Sequence, residues 1–125
     1  MLYAVLCYNS EETVFSWSNA EEEAVMTRLI AAQEKMAKAG KLGPVARLMP
    51  TTTATTLRKD REPPVVVDGP FAETKEQLLG FYIVECATLD DAIATAKDLA
   101  KASGSAGAFE LRPLQFFQPN GIPGQ

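Results

Sequence analysis

Asp68-Gly69-Pro70-Phe71-Ala72-Glu73-Thr74-Lys75-Glu76-Gln77 runs directly into Leu78-Leu79-Gly80-Phe81-Tyr82-Ile83-Val84-Glu85, and this stretch decides the fold. The apolar run Pro64-Val65-Val66-Val67 before it is extended, and Asp68-Gly69-Pro70 must end it. Pro70 has a fixed φ and no N–H to offer a ladder. Gly69 tolerates positive φ, yet as the residue before a proline it is biased toward extended backbone. A charged connector follows, and Gly80 opens a strong strand over residues 81–86.

Working outward, residues 51–58 are rich in threonine, and Lys59-Asp60-Arg61-Glu62-Pro63-Pro64 separates them from Val65-Val66-Val67. The two runs read as an inserted hairpin. Upstream of it, residues 43–49 form a weaker strand stopped by Pro50. Residues 2–8 are almost wholly apolar and β-prone, the pattern of a central strand, and residues 9–12 read as a loop. Ser18-Asn19-Ala20-Glu21 fits a capping box, and the acidic run Glu21, Glu22 and Glu23 suits the positive end of a helix dipole. Val25, Met26, Leu29, Ile30, Met36 and Ala37 then recur at helical spacing until Ala39-Gly40 closes the helix. Downstream, Thr88-Leu89-Asp90-Asp91 opens a second helix that Ser103-Gly104 breaks, and residues 108–114 form the last strand. The tail from Gln115, with Phe116, Phe117, Pro119, Gly121, Pro123 and Gly124, suits an arm or a disordered end. One domain over residues 1–114 and a tail over 115–125 follow.

The order β-α-β, hairpin, β-α-β is that of an α+β, ferredoxin-like split βαβ fold with two helices on one face of an antiparallel sheet. The signature resembles that of the YCII-related proteins of the DGPF type, D-G-P-F-x-E-T-K-E-x-L-x-G-[FY]-x-[IV]. The chain matches it from Asp68 through Gln77 and again at Leu78, Gly80, Phe81 and Tyr82, with Leu79 where a second glycine is usual. Thr53-Ala54-Thr55-Thr56-Leu57-Arg58 is similar to the family's T-A-T-T-[VL]-R segment. The resemblance implies the same fold, assembled as a dimeric α+β barrel.

A homodimer is also expected from the residues themselves. Two helices cover only one face of the sheet, yet Tyr3, Val5 and Cys7 alternate with Leu2, Ala4 and Leu6, and Tyr82 and Val84 with Phe81 and Ile83. Both faces are apolar, and an uncovered apolar face marks a partner surface. A second copy about a two-fold axis is the simplest partner. An aspartate at Val5 or Val84 is expected to dissociate or unfold the protein.

At 125 residues, 46% hydrophobic and 22% charged, the composition is that of an ordinary globular domain. A net charge of −4 argues against direct contact with nucleic acid. The first residues lack a basic segment and a cleavage site, and no apolar run is long enough to span a bilayer, so a cytoplasmic protein without membrane contact is expected. The absence of histidine removes Ser-His triads and His metal sites. The two cysteines, Cys7 and Cys86, lie in apolar strand sequence and read as small buried hydrophobes. No metal and no cofactor are expected.

Chemistry is expected where the insert and the signature loop fold over an end of the sheet. A carboxylate and an amine held together out of water shift each other's pKa, which gives an acid or base without histidine. Asp68, Lys75 and Glu76 are the candidate catalytic residues. Arg58, Phe71, Tyr82 and Arg112 are the candidate ligand-binding residues, with Arg58 suited to a bidentate carboxylate and Lys75 to an anion. A small carboxylate or other small polar ligand is the expected partner. Against this stand plain readings: Asp68 as a turn former, Lys75 and Glu76 as a solvated helix start, Arg112 in a surface salt bridge. Better-defined relatives outside the DGPF type are thought to use a His-Asp pair, which this chain cannot form. The resemblance also implies an alternative role, an accessory module in transcription beside a sigma factor of the extracytoplasmic type.

Overall fold

The computed structural model describes residues 1–104 and 106–119. Its elements run β1 (Leu2–Asn9), α1 (Glu11–Val14), α2 (Asn19–Lys38), β2 (Leu42–Arg47), β3 (Thr55–Arg58), β4 (Val65–Asp68), β5 (Gln77–Glu85), α3 (Leu89–Ser103) and β6 (Ala108–Pro113). Four strands form an antiparallel sheet in the order β2-β5-β1-β6, and β3 pairs with β4 in a separate two-stranded sheet. Each βαβ unit thus places its two strands around a strand of the other unit, which is the ferredoxin-like arrangement.

Local chemistry explains most boundaries. Ser18 Oγ accepts from the Glu21 N–H at 3.1 Å, and the Glu21 carboxylate accepts from the Ser18 N–H at 3.3 Å, closing a capping box at α2. Thr88 Oγ1 accepts from the Asp91 N–H at 3.1 Å at the start of α3, and Gly104 ends that helix with φ of 62°. The second strand ends at Arg47 and the first hairpin strand starts at Thr55, after a 3-10 turn at Thr51–Thr53, and two further differences from the sequence reading bear on the site. Residues 11–14 are a short helix rather than loop, capped by Ser10, whose Oγ accepts from the Thr13 N–H at 3.4 Å. Strand β5 begins at Gln77, so the end of the charged connector already belongs to the sheet, pairing with Asn9 and Tyr8 beyond a β-bulge at Cys7/Tyr8. Gly80 makes this continuation fit: a Cβ there would lie 2.3 Å from the Ala46 carbonyl oxygen of β2.

The register sends Tyr3 and Val5 of β1 and Tyr82 and Val84 of β5 to the face beneath the helices, where they meet Met36 of α2 and Ala92, Ala96 and Leu99 of α3. Val5, Val84, Ala92 and Leu99 are fully buried. Val5 and Val84 therefore belong to the helix-covered core and not to the outer face, so of the two outcomes expected for aspartate there, this burial favours unfolding. The alternate residues Leu2, Ala4, Leu6, Phe81 and Ile83 face away from the helices, flanked by the Arg112–Glu110 pair at 2.7 Å. After β6 the chain stays beside β1, with the Leu114 N–H donating to the Leu2 carbonyl at 2.8 Å. Residues 115–119 have no regular structure, and the rest of the expected tail, residues 120–125, lies outside the described residues. No described helix is long and apolar enough to cross a membrane.

One end of the helix layer is tied down. Lys41 Nζ donates to Asp91 Oδ1 at 2.7 Å, joining the loop before β2 to the first turn of α3, and Asp91 Oδ2 accepts from the Ala87 N–H at 3.1 Å. The Lys41 hydrogen bond, then the Ala87 N–H, hold the Asp91 carboxyl below its ordinary 3.8. Its contribution to stability is therefore present above the ordinary carboxylate range and lost as pH falls through the depressed value. Asp91→Asn should melt earlier than wild type at pH 7, with the gap closing as pH falls below about 4. A gap independent of pH in thermal melts would contradict this account.

Candidate functional site

Between the helices and the sheet, lined by residues 22–33 of α2, residues 93–103 of α3 and parts of β1, β2, β5 and β6, lies an open cleft of about 660 Å³. That is within the size range of small-molecule pockets. Its walls are mainly apolar, with Trp17, Met26, Leu29 and Val45 toward β2 and Ile93, Phe109 and Leu111 toward β6. Tyr82 and Cys7 are polar groups on the sheet side. Burial, then the nearby Cys7, raises the Tyr82 phenol above its ordinary 10.0, while the Gln33 side chain hydrogen-bonds to it. Burial pushes the Cys7 thiol up to about 12. Both groups are thus protonated at neutral pH, and Cys7 Sγ donates to the Val5 carbonyl at 3.7 Å.

Charge sits at the rim. Arg47, the last residue of β2, places Nη1 3.5 Å from Glu22 Oε1 and 3.8 Å from Met26 Sδ, with its guanidinium 6.0 Å from the Phe15 ring centroid. Every one of these contacts is long for its type. Lys97 of α3 lines the opposite wall.

The insert and the signature loop, residues 51–77, lie outside this cleft, whereas Leu79, Gly80, Phe81 and Tyr82 at the end of the signature line it. Gly69 takes positive φ, 110°, and the turn is fastened by the Gly69 N–H to the Ala54 carbonyl at 2.8 Å and by Thr56 Oγ1 to the Gly69 carbonyl at 2.8 Å. Asp68, Lys75 and Glu76 are exposed. Arg58 stands 5.1 Å over the Phe71 ring, so these two candidates meet each other. Arg112 pairs with Glu110 on the outer sheet face. Tyr82 is the one candidate of the seven that lines the cleft. Within the signature, Gln77 has a clear structural task. Its Oε1 accepts from the Glu11 N–H at 2.9 Å, while the Glu11 carboxylate accepts from the Thr51 N–H and Oγ1, both at 2.7 Å. The two ends of the insert are thereby joined through α1.

Sequence reasoning missed Arg47, Gln33 and Glu11. Gln33 carried a signal, because it stands between Leu29 and Met36 on the apolar stripe of α2, where a polar side chain needs a partner. Arg47 carried a weaker one, sharing the face of Val45 in the second strand. Glu11 had none, since its partners are 40 and 66 residues away in the chain.

A fold with a single-sided helix layer and a cleft between that layer and the sheet defines a class without defining a reaction. Residues 1–118 match the model of the YCII-related domain. The chain is also 57% identical over 123 residues, 98% of its own length and 99% of the relative's, to an uncharacterized protein of Rhizobium meliloti (strain 1021). The protein belongs to the YCII-related family.

Proposed function

We propose that this YCII-related protein is a homodimeric small-molecule-binding protein whose ligand occupies the cleft between helices and sheet. The observation that supports it is the cleft itself: about 660 Å³, with mainly apolar walls and a few polar side chains, among them Tyr82 and Gln33. Concave, mostly apolar sites with sparse polar groups are what small-molecule recognition uses. The test is a thermal-shift screen of small carboxylates and phenols. A ligand at about 100 times its Kd adds ~2.7 kcal/mol and raises Tm by several degrees. Val45, exposed on β2 and lining the cleft, can be enlarged without disturbing the core. Val45→Trp should abolish the shift while preserving the melt of the free protein. A shift that survives Val45→Trp would move the site elsewhere.

The dimer is proposed through the outer sheet face. Leu2, Leu6 and Phe81 remain only half-buried there, around the already buried Ala4 and Ile83. The insert adds exposed apolar groups at Leu57, Val66 and Phe71. Leu6→Asp or Phe81→Asp should give a folded monomer by light scattering and circular dichroism, whereas Val84→Asp should unfold. A wild-type monomer at micromolar concentration would overturn the dimer.

A catalytic part for Asp68, Lys75 and Glu76 requires a ligand that meets them outside the cleft. Asp68→Asn keeps the shape and removes the charge. An Asp68 that only builds the turn should lose about 1 kcal/mol or less and leave ligand binding intact. An Asp68 that acts on a ligand should lose binding or turnover with stability unchanged or improved. If Asp68→Asn and Lys75→Met both melt earlier and bind as wild type, the signature is scaffolding.

A further inference from the structure

We infer that the cleft selects a small aryl-bearing monocarboxylate, with the ring between the apolar walls and the carboxylate paired with Arg47 at the rim. This rests on the cleft being the ligand site and adds the charge and shape of what enters it. The reasoning starts from the charges. Arg47 and Lys97 are cationic and Glu22 is anionic, so these lining groups carry a net positive charge in a chain of net charge −4. A cleft that runs against the sign of its own protein favours an anion.

Geometry then separates the two cations. Among the described residues, the Arg47 guanidinium meets Glu22 at 3.5 Å, Met26 Sδ at 3.8 Å and the Phe15 ring at 6.0 Å. The Glu22 contact is a partly exposed, single-point pair, worth little in water. Its planar fork fits a carboxylate through two parallel hydrogen bonds, a stronger arrangement than the one it has. Lys97 offers a mobile point charge on the far wall and no such fork.

The walls define the rest of the molecule. Trp17, Tyr82 and Phe109 line the space behind the rim and present ring surfaces suited to another ring. Glu22 opposes a polyanion at the mouth, which limits the ligand to a single carboxylate.

Calorimetry with 3-phenylpropionate, 3-phenylpropionamide and 3-phenylpropylammonium on the full chain tests the inference, and the emission of Trp17, the chain's single tryptophan, reports occupancy of the cleft. The carboxylate should bind at least about ten-fold tighter than the amide, and the ammonium should not bind. Arg47→Met should remove the preference for carboxylate over amide while leaving amide affinity and the melting temperature near wild type. Glu22→Gln should tighten the carboxylate several-fold by releasing Arg47. Equal binding of carboxylate and amide, with Trp17 responding to both, would overturn the inference and keep the cleft as a binding site. A preference lost in Lys97→Met and retained in Arg47→Met would overturn the assignment to Arg47. If none of the three binds at millimolar concentration, the inference fails, and the thermal-shift screen alone then decides whether the cleft binds small molecules.

Discussion

The packing of Leu99 of α3 against the sheet, over fully buried Val5 and Val84, is the constraint from which the rest of the structure follows. Val5 and Val84 sit where β1 and β5 pair, at the centre of the sheet, and Leu99 holds the C-terminal half of α3 against them while Lys41 and Asp91 fasten its first turn. Burying apolar side chains of this size contributes about 1.5–3 kcal/mol each. The cleft lies beside this core, walled by Val25, Met26 and Leu29 of α2 and by Ile93, Ala96 and Ala100 of α3 over the sheet.

Chemistry differs between this fastening and the cleft. At the first turn of α3 the polar atoms are saturated: Asp91 serves both Lys41 and the Ala87 N–H, and Thr95 Oγ1 donates to the Asp91 carbonyl at 2.9 Å. Around the cleft the contacts are looser: Arg47 meets Glu22 at 3.5 Å and Met26 Sδ at 3.8 Å, while burial keeps Tyr82 and Cys7 protonated.

Much of the fold could be read from the chain. The Ser18 capping box, the Thr88 cap, Gly104 and the alternation in strands β1 and β5 each state a local rule that tertiary structure obeys. The misreadings came from long-range partners. Glu11 looked like loop because the groups it binds, Thr51 and Gln77, are remote in sequence. The first residues of β5 looked like connector because Gly80, read as a strand opener, is in fact what lets the strand run past Ala46. The site was the least legible part. Charged residues cluster in the signature, and charge draws attention to chemistry, but the cleft is walled by residues of both long helices and all four strands of the larger sheet, which no single stretch encodes. Tyr82 could be named because it lies in the signature. Arg47 and Trp17, which flank the same space, lie in stretches whose patterns are those of any strand edge or helix entrance.

The most direct measurement of where this protein meets small molecules is a backbone amide chemical-shift titration with 3-phenylpropionate. The account predicts shifts concentrated at Trp17, Gln33, Arg47, Tyr82 and Phe109, on four separate elements and the loop before α2. Shifts confined to Asp68, Phe71, Lys75 and Glu76, with the cleft residues silent, would contradict it and return the site to the signature.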